Sequence, residues 1–279
     1  MLKEIAIADA YGAGFEFSSP EKIRNFNTLD SYLEHDLYKF SAKYTDDTQM
    51  SIAIAELILS HSKWDDESIA SKFVDCFKRD PRPGYSKGFY ELLMTVSSGE
   101  ELLKKMRAKS DRNGAAMRSV PLGFLTDKKK VMFAAKRQAA VTHNTNIAIA
   151  SSCSVALAAY FGIHMNGQIH DVKEFLAYEG FSDWDYEWDD VVSVSAFDTV
   201  SAALSCLKRC DNLEDLLVSC VSLGGDTDSV ASIAVGIASC YQEYNKKLPQ
   251  KLIKTLNEDE YGIEFLTQLD QKLLNYAIY

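Results

Sequence analysis

The sequence predicts an all-α, single-domain fold over residues 1–279, and three observations lead there. Apolar residues recur at helical spacing along most of the chain. The one strand-like alternation, Val191-Val192-Ser193-Val194, is too short to establish a sheet. Connections between periodic segments are short, with no Pro/Gly/Ser-rich linker and no internal repeat. Two acidic clusters far apart in sequence, Thr45-Asp46-Asp47-Thr48 and Gly224-Gly225-Asp226-Thr227-Asp228-Ser229, each lead into an apolar run of core character. The segments between them must therefore share one interior.

The elements follow in order. Segment 8–16 contains Gly12 and Gly14 and reads as a pliable loop. A strong helix is predicted over 46–60, with Thr45 as its cap and Ile54, Leu57 and Ile58 on a buried stripe. Segment 65–78 places Ile69, Phe73, Val74 and Phe77 on one face. Helical spacing recurs over 84–95, 113–125, 128–140 and 143–163, the last being the longest, and Lys128-Lys129-Lys130 reads as a solvated helix start. Further helices are predicted over 196–207, 213–221, 226–241, 250–256 and 260–275. Ala and Ser concentrate in 147–159 and 229–239; small residues let helices approach closely, which places these two at the centre. The acidic, aromatic stretch Asp183-Trp184-Asp185-Tyr186-Glu187-Trp188-Asp189-Asp190 reads as a solvated surface loop.

Composition narrows the function classes. A chain of this length can bury roughly 75% of its unfolded surface, so it needs no disulfides. Its six cysteines include no CxxC pair, and Cys206 and Cys210 share a helical face without a histidine at ligand spacing. Small, reduced core residues are expected, not zinc ligands, with a reducing cytoplasm as the natural compartment. A net charge of −10 argues against a nucleic-acid binder. Residues 144–164 lack any charged side chain and are long enough to cross a membrane. Their Ala and Ser content, with Asn146 and Cys153, predicts a buried central helix instead, and no membrane is expected. Met1-Leu2-Lys3-Glu4 lacks the features of a signal peptide.

The acidic clusters carry the chemistry. Four Asp side chains with Thr and Ser hydroxyls, brought toward the interior on helix starts, repel one another unless cations neutralise them. Hard oxygen donors of this kind suit Mg²⁺ or Mn²⁺ better than zinc. The pair reads as a candidate two-metal site, with plain helix capping as the alternative for either cluster alone.

Five segments stand in a fixed order: Ala8-Asp9-Ala10-Tyr11-Gly12-Ala13-Gly14-Phe15-Glu16, then Tyr44-Thr45-Asp46-Asp47-Thr48-Gln49-Met50, Asn113-Gly114-Ala115-Ala116-Met117-Arg118, Thr142-His143, and Leu223-Gly224-Gly225-Asp226-Thr227-Asp228-Ser229. This series resembles the ADP-ribosylglycohydrolase family, whose members include ADP-ribosyl-arginine and ADP-ribosyl-serine hydrolases and the dinitrogenase reductase-activating enzymes. The resemblance implies an all-α bundle with two Mg²⁺ ions in a cleft, Mn²⁺ being an alternative. Carried over by motif, Thr45, Asp46, Asp47, Asp226, Asp228 and Ser229 would be metal ligands. Glu16 would be the catalytic carboxyl together with Asp47, and Asp9 a support. Asn113, Gly114, Ala115 and Ser110 would receive the diphosphate and distal ribose, His143 would meet the ADP part, and Arg118 would tie buried carboxylates together or else bind phosphate. The family's usual Gly is replaced by Ala8 before Asp9 and by Arg112 before Asn113. The implied activity is release of ADP-ribose from a modified protein, with arginine as first acceptor. Serine, O-acetyl-ADP-ribose or a nucleic-acid base are other linkages of the same kind. A cognate ADP-ribosyltransferase is an implied partner, and a non-catalytic blocker of such a transferase is the rival class.

Overall fold

The computed structural model describes residues 1–60 and 62–278, and among these there is no β-strand. The chain forms α1 (Leu2–Ala13), α2 (Pro20–Phe26), α3 (Asp46–Leu59), α4 (Asp66–Arg79), α5 (Lys87–Thr95), α6 (Gly99–Lys105), α7 (Lys128–Thr142), α8 (Asn146–His164), α9 (Val172–Tyr178), α10 (Ala196–Arg209), α11 (Leu213–Leu223), α12 (Thr227–Ala238), α13 (Gln250–Thr255) and α14 (Ile263–Ile278). One continuous hydrophobic cluster runs from Leu2 to Leu273. At its middle lies α12, buried along its whole length, with α1, α8, α10 and α11 against it.

The expected centrality of 229–239 is met, but its principal neighbour is α1, where the sequence suggested a loop. Segment 8–16 is instead mostly helix: Ala8, Asp9, Ala10, Tyr11, Gly12 and Ala13 are all buried. Gly12 serves close approach, since a Cβ there would lie 2.6 Å from Cα of Asp228 and 2.7 Å from the Thr227 carbonyl oxygen. The Thr227 hydroxyl donates to the Gly12 carbonyl at 2.8 Å, fixing the start of α12 on α1. One turn earlier, Asp9 accepts from both the backbone N–H and the hydroxyl of Thr45 and of Thr48. Positions i and i+3 share a helical face, so one stripe of α1 holds the starts of α3 and α12 together.

Other expectations need correction. Segment 113–125 is not an α-helix but two 3-10 turns, Asn113–Ala115 and Val120–Phe124; Pro121 and Gly123 sit in the second, where the apolar spacing alone would have continued a helix. The acidic, aromatic stretch is not freely solvated: Trp184 and Tyr186 are buried, and the Trp184 indole N–H donates to Ser154 of α8. The short helices α2, α6 and α9 lie outside the predicted elements. Helix α8 is long and apolar enough to cross a membrane by composition, and 61% of that window is packed inside the molecule. All six cysteines are free thiols.

Gly12→Ala should destabilise the protein by about 1–3 kcal/mol, the usual range for overpacking a tight contact. Urea unfolding checks this, and an unchanged midpoint would show that α1 and α12 can separate without cost.

Candidate active site

Two helix starts, one backbone strap and the end of α1 converge on a cleft of about 270 Å³. From α3 come Asp46 and Asp47, the first two helical residues behind the Thr45 cap. From the start of α12 come Asp226, Asp228 and Ser229. The turn before α12 is left-handed at Gly224 (φ 74°) and Gly225 (φ 80°), a conformation that favours glycine. A Cβ on Gly225 would stand 1.9 Å from the Val192 carbonyl oxygen. Val192 bridges this turn, donating to the Gly224 carbonyl and accepting from the Asp226 N–H. Two residues on, the Val194 carbonyl accepts from the Asn113 N–H. The 192–196 strap thus ties the second acidic cluster to the Asn113 turn, which is why that brief alternation makes bridges and no sheet.

Glu16 follows α1. Its carboxylate offers an oxygen within 4.8 Å of oxygens from Asp226 and Asp228, and it accepts from His35 Nε2 at 2.6 Å. The Asp47 Oδ1 accepts from the Ser232 hydroxyl at 2.9 Å, and Asp226 Oδ2 from the Asn113 amide at 2.8 Å. Burial comes first among the causes that push the Asp46, Asp47 and Asp228 carboxyls well above the usual range, followed by the neighbouring carboxylates. Asp226 moves the same way, again chiefly by burial. Unit like charges at that spacing repel by roughly 3 kcal/mol per pair at an effective dielectric near 20. Among the described residues, no ion pair includes Asp46, Asp47, Asp226 or Asp228. Glu16 has only the His35 contact. The positive ends of α3 and α12 offset part of this repulsion, and an all-oxygen donor set with so many buried carboxyls fits hard divalent cations.

Ser110, Arg112, Asn113, Gly114 and His143 also line the cleft. The His143 ring lies against Gly114, and Thr142 Oγ1 meets its Nδ1 at 2.7 Å. The same hydroxyl accepts from Arg118. Burial, then the Arg118 and Arg112 charges, push His143 down to about 3, so the ring is neutral. Arg118 does not tie carboxylates together as expected. Wholly buried over the Phe73 ring, it donates to Gln138 and Thr142.

Of the residues that the sequence motifs single out, Glu16, Asp46, Asp47, Ser110, Asn113, Gly114, His143, Asp226, Asp228 and Ser229 face this one cleft. Thr45 and Ala115 do not line it. Thr45 lies behind the acidic wall, donating to Asp9 and standing 3.5 Å from Asp47 Oδ2, and Ala115 sits in a small apolar contact with Ala139 and Ala148. Arg118 and Thr142 also reach the lining, and Tyr38, Gly84, Tyr85, Ser86, Phe89, Met106 and Val194, which were missed, lie in it too. Tyr85 is anchored by its hydroxyl on Gln49 of α3, a contact that carries no local sequence signal.

The profile of the ADP-ribosylglycohydrolase family matches residues 5–277. The chain belongs to that family. It is similar to ADP-ribosylhydrolase ARH3 of Xenopus tropicalis, at 24% identity over 84% of each chain. The ADP-ribosylarginine hydrolase Tri1 of Pseudomonas putida is also 24% identical, over 85% of this chain and 68% of that protein. A solved structure titled ADP-ribosylglycohydrolase-related protein complex superimposes with a TM-score of 0.76 at 18% identity, covering 99% of this chain and 95% of that one, and shows the same all-α fold. This ADP-ribosylglycohydrolase is thus an enzyme of a family that is metal-dependent in general and acts on ADP-ribosylated substrates, releasing ADP-ribose.

The electrostatics make a pH-dependent prediction. A carboxyl whose folded pKa is raised adds no penalty below its unfolded value near 4, where both states are protonated. The penalty builds as pH rises toward the folded value and persists above it. A divalent cation that binds only the folded, ionised cluster removes that penalty. The rise in melting temperature caused by Mg²⁺ or Mn²⁺ should therefore be small near about pH 5 and grow toward about pH 8. Calorimetry with and without EDTA measures it, and a rise independent of pH would contradict the site.

Proposed function

We propose that this enzyme hydrolyses the bond between ADP-ribose and an arginine side chain of a modified protein. Two divalent cations, Mg²⁺ in the first place and Mn²⁺ as a substitute, would be held by Asp46, Asp47, Asp226, Asp228 and Ser229, with Thr45 supporting from behind. The observation that carries the reading is the convergence of both acidic helix starts and Glu16 on one cleft, where, among the described residues, no ion pair neutralises the four aspartates. When bound, such ions supply electrophilic polarisation of ribose oxygens and neutralise the cluster.

The remaining steps belong to the protein. Breaking the bond at the anomeric carbon develops oxocarbenium-like positive charge, which Glu16 and Asp47 face as carboxylates. Water oxygen bonds to that carbon, its proton passes to Glu16, and the guanidine nitrogen departs with the bonding pair and takes up the proton. The neutral His143, with Ser110, Asn113 and Gly114, would bind the ADP portion. Arginine is favoured by the corner opposite, where Tyr38 stands close enough to Glu16 and Asp46 for burial and their charges to push its phenol up. A guanidinium there meets an aromatic face and a carboxylate together.

Mass spectrometry of peptides carrying ADP-ribose on Arg, Ser or Glu, with and without Mg²⁺, decides acceptor and metal dependence together. Release from the Arg peptide only with metal is expected; full activity in EDTA would refute the metal role, and preference for Ser would move the acceptor assignment. Asp46→Asn and Asp228→Asn should abolish turnover. Glu16→Gln should keep ADP-ribose affinity while lowering kcat by about 10²–10⁴, the span of general acid–base catalysis. If a metal-site variant still inhibits an ADP-ribosyltransferase, physical occlusion replaces hydrolysis as the function.

A further inference from the structure

Residues 34–40 form a self-closed turn between α2 and α3. The His35 N–H donates to the Phe40 carbonyl, and the Lys39 N–H to the His35 carbonyl. The turn is fastened from outside by Lys22, whose ammonium donates to the Glu34 carbonyl and to Asp36, and by the Ser18 hydroxyl on Asp36. The His35 ring is buried between Tyr38 and Phe40, with centroids 4.9 and 5.2 Å away. Its two nitrogens face different partners. Toward Nδ1 point the backbone N–H groups of Leu37 (3.0 Å) and Tyr38 (3.3 Å), while Nε2 meets Glu16 Oε2 at 2.6 Å.

Those partners fix the chemistry of the ring. Two amide donors aimed at Nδ1 require it to be the acceptor, so the single proton of a neutral imidazole sits on Nε2. From there it donates to the Glu16 carboxylate. Glu16 needs such a hold: it lies beyond the end of α1, beside the like-charged Asp226 and Asp228, and its side chain is 17% exposed, so water offers an outward alternative. Its backbone is restrained next door, where Phe17 (φ 47°) donates to the Gly225 carbonyl, but nothing in that contact orients the carboxyl.

We propose that His35 is a positioning residue for the reaction: a neutral imidazole, protonated on Nε2, that keeps one oxygen of Glu16 occupied and directs the other into the cleft. The inference rests on Glu16 being the proton-transfer carboxyl of the proposed function, and its test separates the two.

On the intact protein, ¹⁵N NMR of the histidine rings, assigned by loss of one signal set in His35→Gln, should show His35 with a bare Nδ1 and a protonated Nε2 whose resonance moves in Glu16→Gln. A proton on Nδ1, or an Nε2 signal indifferent to Glu16→Gln, overturns the proposal whatever the substrate proves to be. In turnover, His35→Ala should lower kcat about 10–100-fold, the usual loss when a supporting hydrogen bond at such a site is removed. KM and ADP-ribose affinity should hold, and added imidazole should restore part of the rate. The double variant Glu16→Gln/His35→Ala should be no slower than Glu16→Gln alone, because His35 acts only through Glu16. Multiplied losses, or a matching rise in KM, would mean that His35 merely supports the loop. Were the wild-type protein inactive on every peptide, the function would fail while the NMR result still decided the His35–Glu16 contact.

Discussion

One stripe of α1 sets the relation between the two acidic helices. Asp9 takes the start of α3 through four donors from Thr45 and Thr48, and Gly12, a turn later, takes the start of α12 through the Thr227 hydroxyl. Glu16 then emerges where the same helix runs out. Three functions at spacings of three and four residues use the helical repeat directly. Because Gly12 touches the backbone at Asp228, the start of α12 is held against α1 by main chain on main chain, while the start of α3 is held by the Asp9 carboxylate.

The same arrangement explains which parts were legible in the sequence. Helices with one polar face, such as α4 and α10, announce themselves through apolar spacing, and the acidic runs mark the starts of α3 and α12 because Asp and Thr favour those positions. Helix α1 is buried nearly all round, so it has no polar stripe to give it a period, and its two glycines resemble a loop. What reads there as freedom is closeness. Over 113–125 the opposite error arises: apolar spacing mimics a helix while Pro121 and Gly123 turn the chain into 3-10 pieces. The burial of Trp184 depends on Ser154, distant in sequence, and no local pattern carries that.

The site divides along similar lines. Residues in the ordered motifs reach the cleft because each is fixed by its own helix start or turn. The contributions of Tyr38, Tyr85 and His35 depend on where loops fold back, and a stretch such as 27–45, with left-handed residues at Leu29, Lys39 and Ala42, has no periodic signal. Arg118 shows the limit of charge reasoning: an arginine near a carboxylate-rich cleft suggested neutralisation, yet its donors serve Gln138 and Thr142. Its charge still reaches the cleft, where it helps burial to push His143 down. Sequence supplies the charge; only the fold tells which partner receives it.

Comparing the buried carboxyls with one another separates structure from chemistry. Asp9 is as deeply buried as Asp46, Asp47, Asp226 and Asp228, and burial raises its pKa too, to about 6. Yet Asp9 collects four donors, two of them backbone N–H groups, and its oxygens are spent on holding α3. Asp47 accepts from Ser232 and Asp226 from Asn113, and, unlike Asp9, both line the cleft. A fold under selection for stability alone would satisfy or remove such groups, since a buried carboxylate left open costs several kcal/mol. Five carboxyls, Glu16, Asp46, Asp47, Asp226 and Asp228, line one cleft, whereas Asp9 lies outside that lining and is spent on α3. Asp9 is scaffold by this criterion, and the carboxyls that line the cleft form the candidate site.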